Sequence, residues 1–351
     1  MVMMFDQPDF DTLYKALVAR DETLDGQFFV GVKTTGIFCR MTCPARKPKP
    51  ENCEFFDTVS TPLSAGYRPC KRCHPLAANH VTDPVIKDLV ARLMADPARR
   101  WRETDVQQLG YDPSTVRRQF KRVYGMTFLE MARQLRLRLG FETLASGQQV
   151  IEAQLDAGFE SASGFRDAFA RLLGVPPGSL KGDRLLKASW LDTPLGNMII
   201  VTDTHHLHLL EFVGRKGLAA ELKRLNSHNP GGVGIGRTPI TELAEQQLSE
   251  YFSGTRNSFS VPLALAGSDF TKKVWRALQK IPAGETRSYA DVARMVGNPN
   301  AIRAVARANG ANELAIIIPC HRVIGSDGSL TGYAGGLWRK EKLIKLEAQY
   351  R

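Results

Sequence analysis

The clearest hydrophobic pattern lies in the middle of the chain, where apolar residues recur at helical spacing. Two stretches share one layout, in which a short helix, a glycine and a longer helix with a single apolar stripe follow one another. The glycines are Gly110 and Gly158. The stripes consist of Val116, Phe120, Val123 and Tyr124 in the first copy and of Phe165, Phe169, Leu172 and Leu173 in the second. This internal repeat predicts two helix-turn-helix units.

The segments on either side follow other patterns. The first 80 residues contain short apolar runs between glycines, prolines and cysteines, which predicts a small, loop-rich unit with a few strands. Beyond Lys187 strand-like runs alternate with turns, as in an α/β subdomain, and helical periodicity returns from Phe270. We therefore expect a multidomain α+β protein. Its expected domains span residues 1–80, 84–187, 188–265 and 266–351.

Net charge narrows the range of partners. The 351 residues include 47 Lys and Arg against 36 Asp and Glu, and the formal charge of +11 favours either a polyanionic partner or an acidic membrane surface. Residues 31–80 hold eight basic against three acidic residues, and residues 270–351 hold fourteen against six. No apolar run approaches the length of a membrane span and the first residues lack a secretory signal. We expect a cytoplasmic protein without a membrane partner.

Five of the six cysteines crowd into the amino-terminal region, as expected for metal ligands in a reducing compartment. Cys39 and Cys43 form one close pair, Cys70 and Cys73 form another, and 26 residues separate the pairs. Each pair can chelate from a single turn, and the intervening segment lets the pairs meet around one tetrahedral zinc ion. On spacing alone, a purely structural zinc ribbon is an equally good interpretation. Cys53 is interpreted as a small buried apolar residue.

The sequence around these cysteines resembles the methylphosphotriester-repair domain of the Ada family. The segments Thr34 to Arg40 and Gly66 to Cys73 carry the resemblance. It implies that Cys39 is both a zinc ligand and a methyl acceptor, since a thiolate held on zinc stays deprotonated and needs no general base. The DNA contacts that it implies are Thr35, Arg46 and Arg68.

The same resemblance suggests a switch. Four thiolates on one divalent zinc carry a net charge of minus two, and methylation of one leaves minus one, which weakens the repulsion from DNA phosphates. Repair is therefore expected to raise DNA affinity. Pro44 and the dipeptide Met41-Thr42 depart from the family pattern, and one phosphate contact is expected to be missing at Pro44.

Cys320 stands apart from the cluster, directly after an apolar run and a proline and directly before His321. An isolated cysteine in a core is inert more often than catalytic, so this pair alone is a weak signal. The segment Pro319 to Val323, however, resembles the active-site motif of O6-methylguanine-DNA methyltransferases, and the similarity extends over most of residues 270–347.

This second resemblance implies an alkyl acceptor that works on a flipped base. Cys320 is the acceptor, His321 polarises it through a water, Glu347 orients the histidine, and the network lowers the proton affinity of the thiol. Asn312 is expected to support the active-site turn, and one hydrogen bond to the base is expected to be absent at Ala334. The implied DNA contacts are Tyr289, Arg303 and Tyr333. The implied folds are a ribonuclease H-like α/β subdomain and a winged-helix-like active-site domain.

The central repeat resembles the DNA-binding domain of AraC-type regulators, which implies DNA contacts by Arg117, Arg118 and Lys121. The alternative is a helical scaffold that packs the outer domains together. A thioether is chemically stable, so each acceptor should work once. We therefore expect a single-turnover repair methyltransferase that also activates transcription after Cys39 is methylated.

The expected partners are alkylated and promoter double-stranded DNA and RNA polymerase, and the expected state is a monomer associated with the nucleoid. Three alternatives remain open at this point. The first is a zinc-containing AraC-type regulator with reduced or absent methyltransferase activity. The second is a repair protein without sequence-specific binding, and the third is a redox sensor built on reactive thiols.

Overall fold

A computed structural model describes residues 9–21, 24, 25, 28–56, 62, 65–73, 75, 84–180, 184–229 and 231–350. The chain divides into two compact units. The first comprises Met1–Met94 with Gly110–Val123, and the second comprises Ala95–Leu109 with Tyr124–Arg351. Among the helices that the structure describes, none combines the length and the apolar character that a bilayer crossing requires.

The first unit contains a small sheet with the order β3-β1-β2-β4. Its strands are β1 (Phe29–Val32), β2 (Ile37–Arg40), β3 (Cys53–Phe56) and β4 (Arg68–Pro69). Strand β1 pairs antiparallel with β2 and β3, whereas β4 lies parallel to β2. Helix α1 (Phe10–Ala19) begins at the Asp9 side chain, which accepts a hydrogen bond from the Thr12 amide. The few short strands expected from the sequence are confirmed.

Two further helices belong to the first unit, α2 (Pro84–Ala95) and α4 (Pro113–Tyr124). Helix α4 is the longer helix of the first predicted repeat. It buries Val116, Phe120 and Val123, as the stripe predicts, and leaves the basic residues on its other side exposed.

The second unit begins with helices that complete the repeats. They are α3 (Glu103–Gln108), α5 (Phe128–Ala145), α6 (Val150–Asp156) and α7 (Ala162–Leu173). Gly158, with φ of 64°, makes the turn between α6 and α7. Helix α7 buries Phe165, Phe169 and Leu173, so the second predicted stripe is confirmed.

A four-stranded sheet with the order β7-β6-β5-β8 follows. Its elements are β5 (Leu186–Leu191), β6 (Met198–Thr202), β7 (Leu207–Phe212), α8 (Leu218–His228), β8 (Val233–Ile235) and α9 (Pro239–Phe252). Neighbouring strands are antiparallel except for the parallel pair β5 and β8. Strand β6 is buried along its whole length because both faces of the sheet are covered.

Short helices surround the last segment of the chain. The elements are α10 (Asp269–Leu278), β9 (Arg287–Ser288), α11 (Tyr289–Met295), α12 (Ile302–Gly310), β10 (Val323–Ile324) and α13 (Leu337–Glu347). The segment before Cys320 attaches to the edge of the larger sheet, because Leu210 N–H donates to Glu313 and Ala315 N–H donates back to Leu210, both at 2.8 Å. The architecture is thus a multidomain mixture of α and β elements, as expected.

Candidate functional sites

The two cysteine pairs converge at one edge of the small sheet. Cys39 lies in β2 and Cys70 directly follows β4, and the parallel pairing of these strands brings the two turns together. The sulfur atoms of Cys39, Cys43, Cys70 and Cys73 all lie within 4.8 Å of one another. Zinc–sulfur bonds of about 2.3 Å in a tetrahedron require sulfur separations of this order.

The chemistry of the cluster also fits a cation. The Cys39 thiol donates a hydrogen bond to the Cys73 sulfur. Donating this bond, and then burial, raise the pKa of Cys39, whereas accepting it is the main reason that the pKa of Cys73 falls to about 5. Backbone N–H groups of Arg40 and Arg72 donate to the sulfurs of Cys73 and Cys70, both at 3.4 Å. Four crowded sulfurs with amide donors are the ligand set that one zinc ion takes.

The expected DNA contacts of this region surround the cluster. Thr35, Arg46 and Arg68 all line one groove of about 790 Å³ that also reaches Cys39. Lys47 also lines the groove and is half-buried, and its ammonium donates to the carbonyls of Met41 and Cys43 at 3.1 and 3.2 Å. The groove therefore presents positive charge around a sulfur-rich floor.

Cys320 begins a 3₁₀ turn and is 6% exposed. The side chain of Asn312 donates to its sulfur at 3.1 Å and to the carbonyl of Ile318 at 2.9 Å. The preceding apolar run bends at Ile316, whose φ of 72° is unusual for a β-branched residue. Asn312 thus holds both the thiol and the strained turn that presents it.

A buried network begins at the residue that follows Cys320. His321 Nε2 is 3.0 Å from Glu347 Oε1, and the same carboxylate accepts from the Tyr251 hydroxyl at 2.7 Å and from Arg322 at 2.8 Å. Burial acts to raise the pKa of Glu347, but His321 and Arg322 outweigh it and hold the pKa low. Burial lowers the pKa of His321, so the imidazole is neutral at pH 7.

Burial and hydrogen bonding act in opposite directions on the Cys320 thiol. Burial raises the pKa of Cys320 to about 11, and the Asn312 hydrogen bond, which acts in the opposite direction, does not compensate. In the DNA-free protein loss of hydration outweighs this donor, and the expected lowering of the proton affinity by His321 through a water stays a prediction. The thiol is protonated at neutral pH until a base takes its proton.

The surroundings of Cys320 contain polar atoms that are ready for a ligand. His321 Nδ1, Asn309 Oδ1 and the Tyr333 hydroxyl are buried, and none has a hydrogen-bond partner among the described residues. A buried polar atom without a hydrogen bond lowers the stability of the folded protein unless a ligand or a water molecule bonds to it. Tyr289 is half-buried and its hydroxyl reaches the Thr331 carbonyl at 3.4 Å, whereas Arg303 is exposed on the first turn of α12.

The basic residues of α4 occupy one exposed surface. Arg117, Arg118 and Lys121 all point away from the apolar stripe of Val116 and Phe120. Three cations at this spacing on a helix suit the phosphates beside a DNA groove.

Family models match four successive parts of the chain. They are described as the metal binding domain of Ada (residues 12–75), a helix-turn-helix domain (106–182), and the ribonuclease-like domain (186–265) and DNA binding domain (269–349) of 6-O-methylguanine DNA methyltransferase. A relative from Escherichia coli, the bifunctional transcriptional activator/DNA repair enzyme Ada, is 34% identical over 97% of this chain and 96% of its own length. The chain belongs to the Ada family. Its four-cysteine cluster is the site of one zinc ion.

Other similarities of this Ada-family chain cover its carboxy-terminal part. A methylated-DNA--protein-cysteine methyltransferase of Methanosarcina barkeri is 61% identical over 45% of this chain and 94% of that protein. A crystal structure of the Mycobacterium tuberculosis O6-methylguanine methyltransferase is 38% identical, with a TM-score of 0.41 over 47% of this chain and 94% of that one.

No pattern in the sequence predicts the structural role of Arg339 in this Ada-family chain. The Arg339 guanidinium is 5% exposed and lies 4.2 Å from the Phe212 ring centroid and 4.4 Å from that of Trp338. It donates to the carbonyls of Leu195 at 2.8 Å and Gly335 at 2.6 Å. Arg339 thus connects the turn that follows Tyr333 to the β5–β6 loop. Because Arg339 and Leu195 lie 144 positions apart, the sequence does not reveal this connection.

Proposed function

We propose that this protein repairs alkylated DNA by moving methyl groups irreversibly to two of its own cysteines, and that one of these events makes it a transcriptional activator. The observation that carries the proposal is the arrangement around Cys320. The Cys320 thiol accepts a hydrogen bond from Asn312, and the next residue in the chain is a neutral histidine. Its Nε2 is engaged by Glu347, and its Nδ1 has no partner among the described residues. This arrangement supplies a nucleophile and a base on two successive buried residues.

In the proposed reaction at Cys320, the flipped base places its alkyl carbon against the sulfur. The thiol proton passes through a water to Nδ1 of His321, and the resulting imidazolium is stabilised by Glu347. The sulfur forms a bond to the alkyl carbon as the bond from that carbon to the guanine O6 breaks, and the guanine leaves with the electron pair. Tyr333 and Tyr289 hold the base and its backbone, and Arg303 fills the space that the base vacates.

In the proposed reaction at Cys39, the substrate is a methylphosphotriester. The zinc ion that Cys39, Cys43, Cys70 and Cys73 would hold would keep the Cys39 sulfur anionic at neutral pH. That sulfur forms a bond to the methyl carbon, the carbon–oxygen bond breaks, and the phosphate leaves as a diester anion. Thr35, Arg46 and Arg68 orient the DNA backbone in the groove that they line.

Loss of one negative charge at the zinc cluster then strengthens DNA binding. The AraC-type repeat reads promoter DNA, with Arg117, Arg118 and Lys121 on its first longer helix. We propose further that the activated protein contacts RNA polymerase, acts as a monomer and works in the cytoplasm on the nucleoid. The proposed domains are those expected from the sequence, with boundaries after residues 80, 187 and 265.

A lesion-specific experiment separates this proposal from a regulator that no longer transfers methyl groups. Zinc-loaded protein is incubated with a duplex carrying a single O6-methylguanine, or with one carrying a single methylphosphotriester, and the methylated peptide is mapped. The proposal expects methyl transfer to Cys320 from the first duplex and to Cys39 from the second, with Cys53→Ser as a control that keeps both. An unmodified Cys320 would favour the pure regulator.

Promoter binding is then measured before and after each reaction. The proposal expects tighter binding only after the methylphosphotriester duplex, and no tightening in a Cys39→Ser variant. Equal affinity before and after methylation of Cys39 would contradict the switch.

A further inference from the structure

The helices of the second repeat and the larger sheet share one hydrophobic core. Phe141, Phe165 and Phe169 from the helical side are buried in the same cluster as Ile199 and Val201 of β6 and Leu222 of α8. This cluster runs without interruption across the predicted boundary at residue 187. Two independent domains would each be expected to have their own core.

The backbone of α7 meets that of α8 directly. Gly174, which ends α7 with φ of 74°, lies so close to α8 that a Cβ atom there would come within 1.9 Å of the Ala219 carbonyl oxygen. Only glycine fits, both because φ is positive and because a backbone atom blocks the side-chain direction. The approach of the two helices is therefore built into the sequence.

Contacts at the edge of this core also attach α5 to β5. The Phe141 ring lies 5.9 Å from the Trp190 ring of β5, centroid to centroid. Arg138 Nη1 of α5 is 2.6 Å from the carboxylate of Asp192, just beyond β5. Apolar, aromatic and ionic contacts thus join α5 to the sheet as well.

The opposite face of the same strands belongs to the core around Cys320. Met198 and Ile200 of β6 and Leu210 of β7 are buried in the cluster that contains Cys320. Alternate residues of β6 therefore pack against the helix-turn-helix on one face and against the alkyl-acceptor segment on the other.

We infer that the second helix-turn-helix and the methyltransferase sheet form one cooperative unit, in which α8 is the docking surface for α7. Helix α7 keeps its other side exposed, including Ser163, Arg166 and Arg171, and this is the side that would face DNA. The alkyl-acceptor part is thus a scaffold that stabilises a DNA-reading helix. The functional meaning rests on the proposed function, whereas the cooperativity does not.

Native-state hydrogen exchange of the full, zinc-loaded chain without DNA tests the inference. In a single unit, the slowest amides of α7 and β6 exchange through the same opening, so a destabilising change accelerates both by the same factor. Gly174→Ala combines a positive φ with the clash against Ala219. Gly147→Ala is the matched control, because Gly147 has φ of 85° but a Cβ atom added there would meet no described atom within 4 Å.

Gly174→Ala is expected to accelerate exchange in α7 and in β6 by the same factor. That factor should be at least about tenfold larger than for Gly147→Ala, because relieving a clash with a backbone atom requires the helices to move apart. Should Gly174→Ala not fold, Phe141→Leu removes the ring contact with Trp190 and should accelerate both elements by the same factor, about 5- to 30-fold. Acceleration confined to α7, or equal effects of the two glycine variants, would overturn the inference. Either result leaves methyl transfer to Cys320 untouched as a separate question.

Discussion

At the scale of single residues, the chemistry of Cys320 depends on a balance between burial and one amide donor. Burial raises the pKa of the thiol to about 11 even though Asn312 donates to the sulfur. Because the pKa of His321 is lowered, this imidazole is neutral and can accept a proton at pH 7. In the proposed reaction, the resting protein therefore carries a protonated thiol and a neutral imidazole on successive residues, and proton transfer from the thiol awaits the flipped nucleotide.

The protonated resting state can be tested with a small electrophile. Iodoacetamide modification of Cys320, followed by peptide mapping without DNA, should accelerate about tenfold per pH unit between about pH 7 and pH 9.5, because only the thiolate reacts and its pKa lies above this range. Asn312→Ala should react more slowly throughout, since it removes the donor that lowers the pKa. A rate that is already constant between about pH 7 and pH 8 would contradict the account.

Arg339 provides a second test at this scale, as a positioning residue for alkyl transfer. Arg339→Met should lower the rate of methyl transfer at saturating DNA by about 10- to 100-fold, because the turn behind Tyr333 loses its attachment to Leu195 and small displacements of reacting groups are costly. Burial lowers the pKa of Arg339 to about 10, so the side chain is charged at neutral pH.

The matched control for Arg339 is Lys342→Met on the same helix. The Lys342 ammonium lies 5.3 Å from the Trp338 ring, whereas it is Arg339 that donates to the carbonyls of the turn after Tyr333 and of the β5–β6 loop. Single-turnover kinetics separate the plateau rate from the half-saturating DNA concentration. A change only in half-saturation would indicate a DNA contact instead of positioning.

At the scale of elements, α4 combines a buried stripe with an exposed basic surface. Its apolar residues Val116, Phe120 and Val123 fix which side faces inward, and the cations follow from the helical period. The element and its orientation are therefore determined locally, which makes its role in DNA binding testable by surface substitutions that leave the stripe intact.

Substitution of Arg118 and Lys121 by alanine should weaken promoter binding. It should also reduce the slope of log affinity against log salt concentration by about one for each lost phosphate contact. Arg256→Ala is a suitable control, because Arg256 is paired with Glu250 at the end of α9. Fluorescence anisotropy over a range of salt concentrations measures both quantities. An unchanged salt dependence in the double variant would remove α4 from the interface.

At the scale of the whole molecule, the sequence predicts elements and motifs better than their long-range contacts. The cysteine pairs and the stripes of α4 and α7 are local patterns, and the structure confirms them. The hydrogen bond from Tyr251 to Glu347 joins residues 96 positions apart, and no periodic pattern in the sequence predicts it. The core shared by α7 and β6 also escaped prediction, because an apolar stripe does not specify which surface covers it.

The four matched families follow one another along the chain, so repair and regulation are carried by one polypeptide. In the proposed function, the sulfurs of Cys39 and Cys320 each accept one methyl group irreversibly. Zinc-loaded protein is therefore mixed with an excess of duplex that carries both lesions, and its intact mass is followed over time. The expected result is a mass gain of two methyl groups per chain and no further gain. An unchanged mass under these conditions would show that neither sulfur accepts a methyl group.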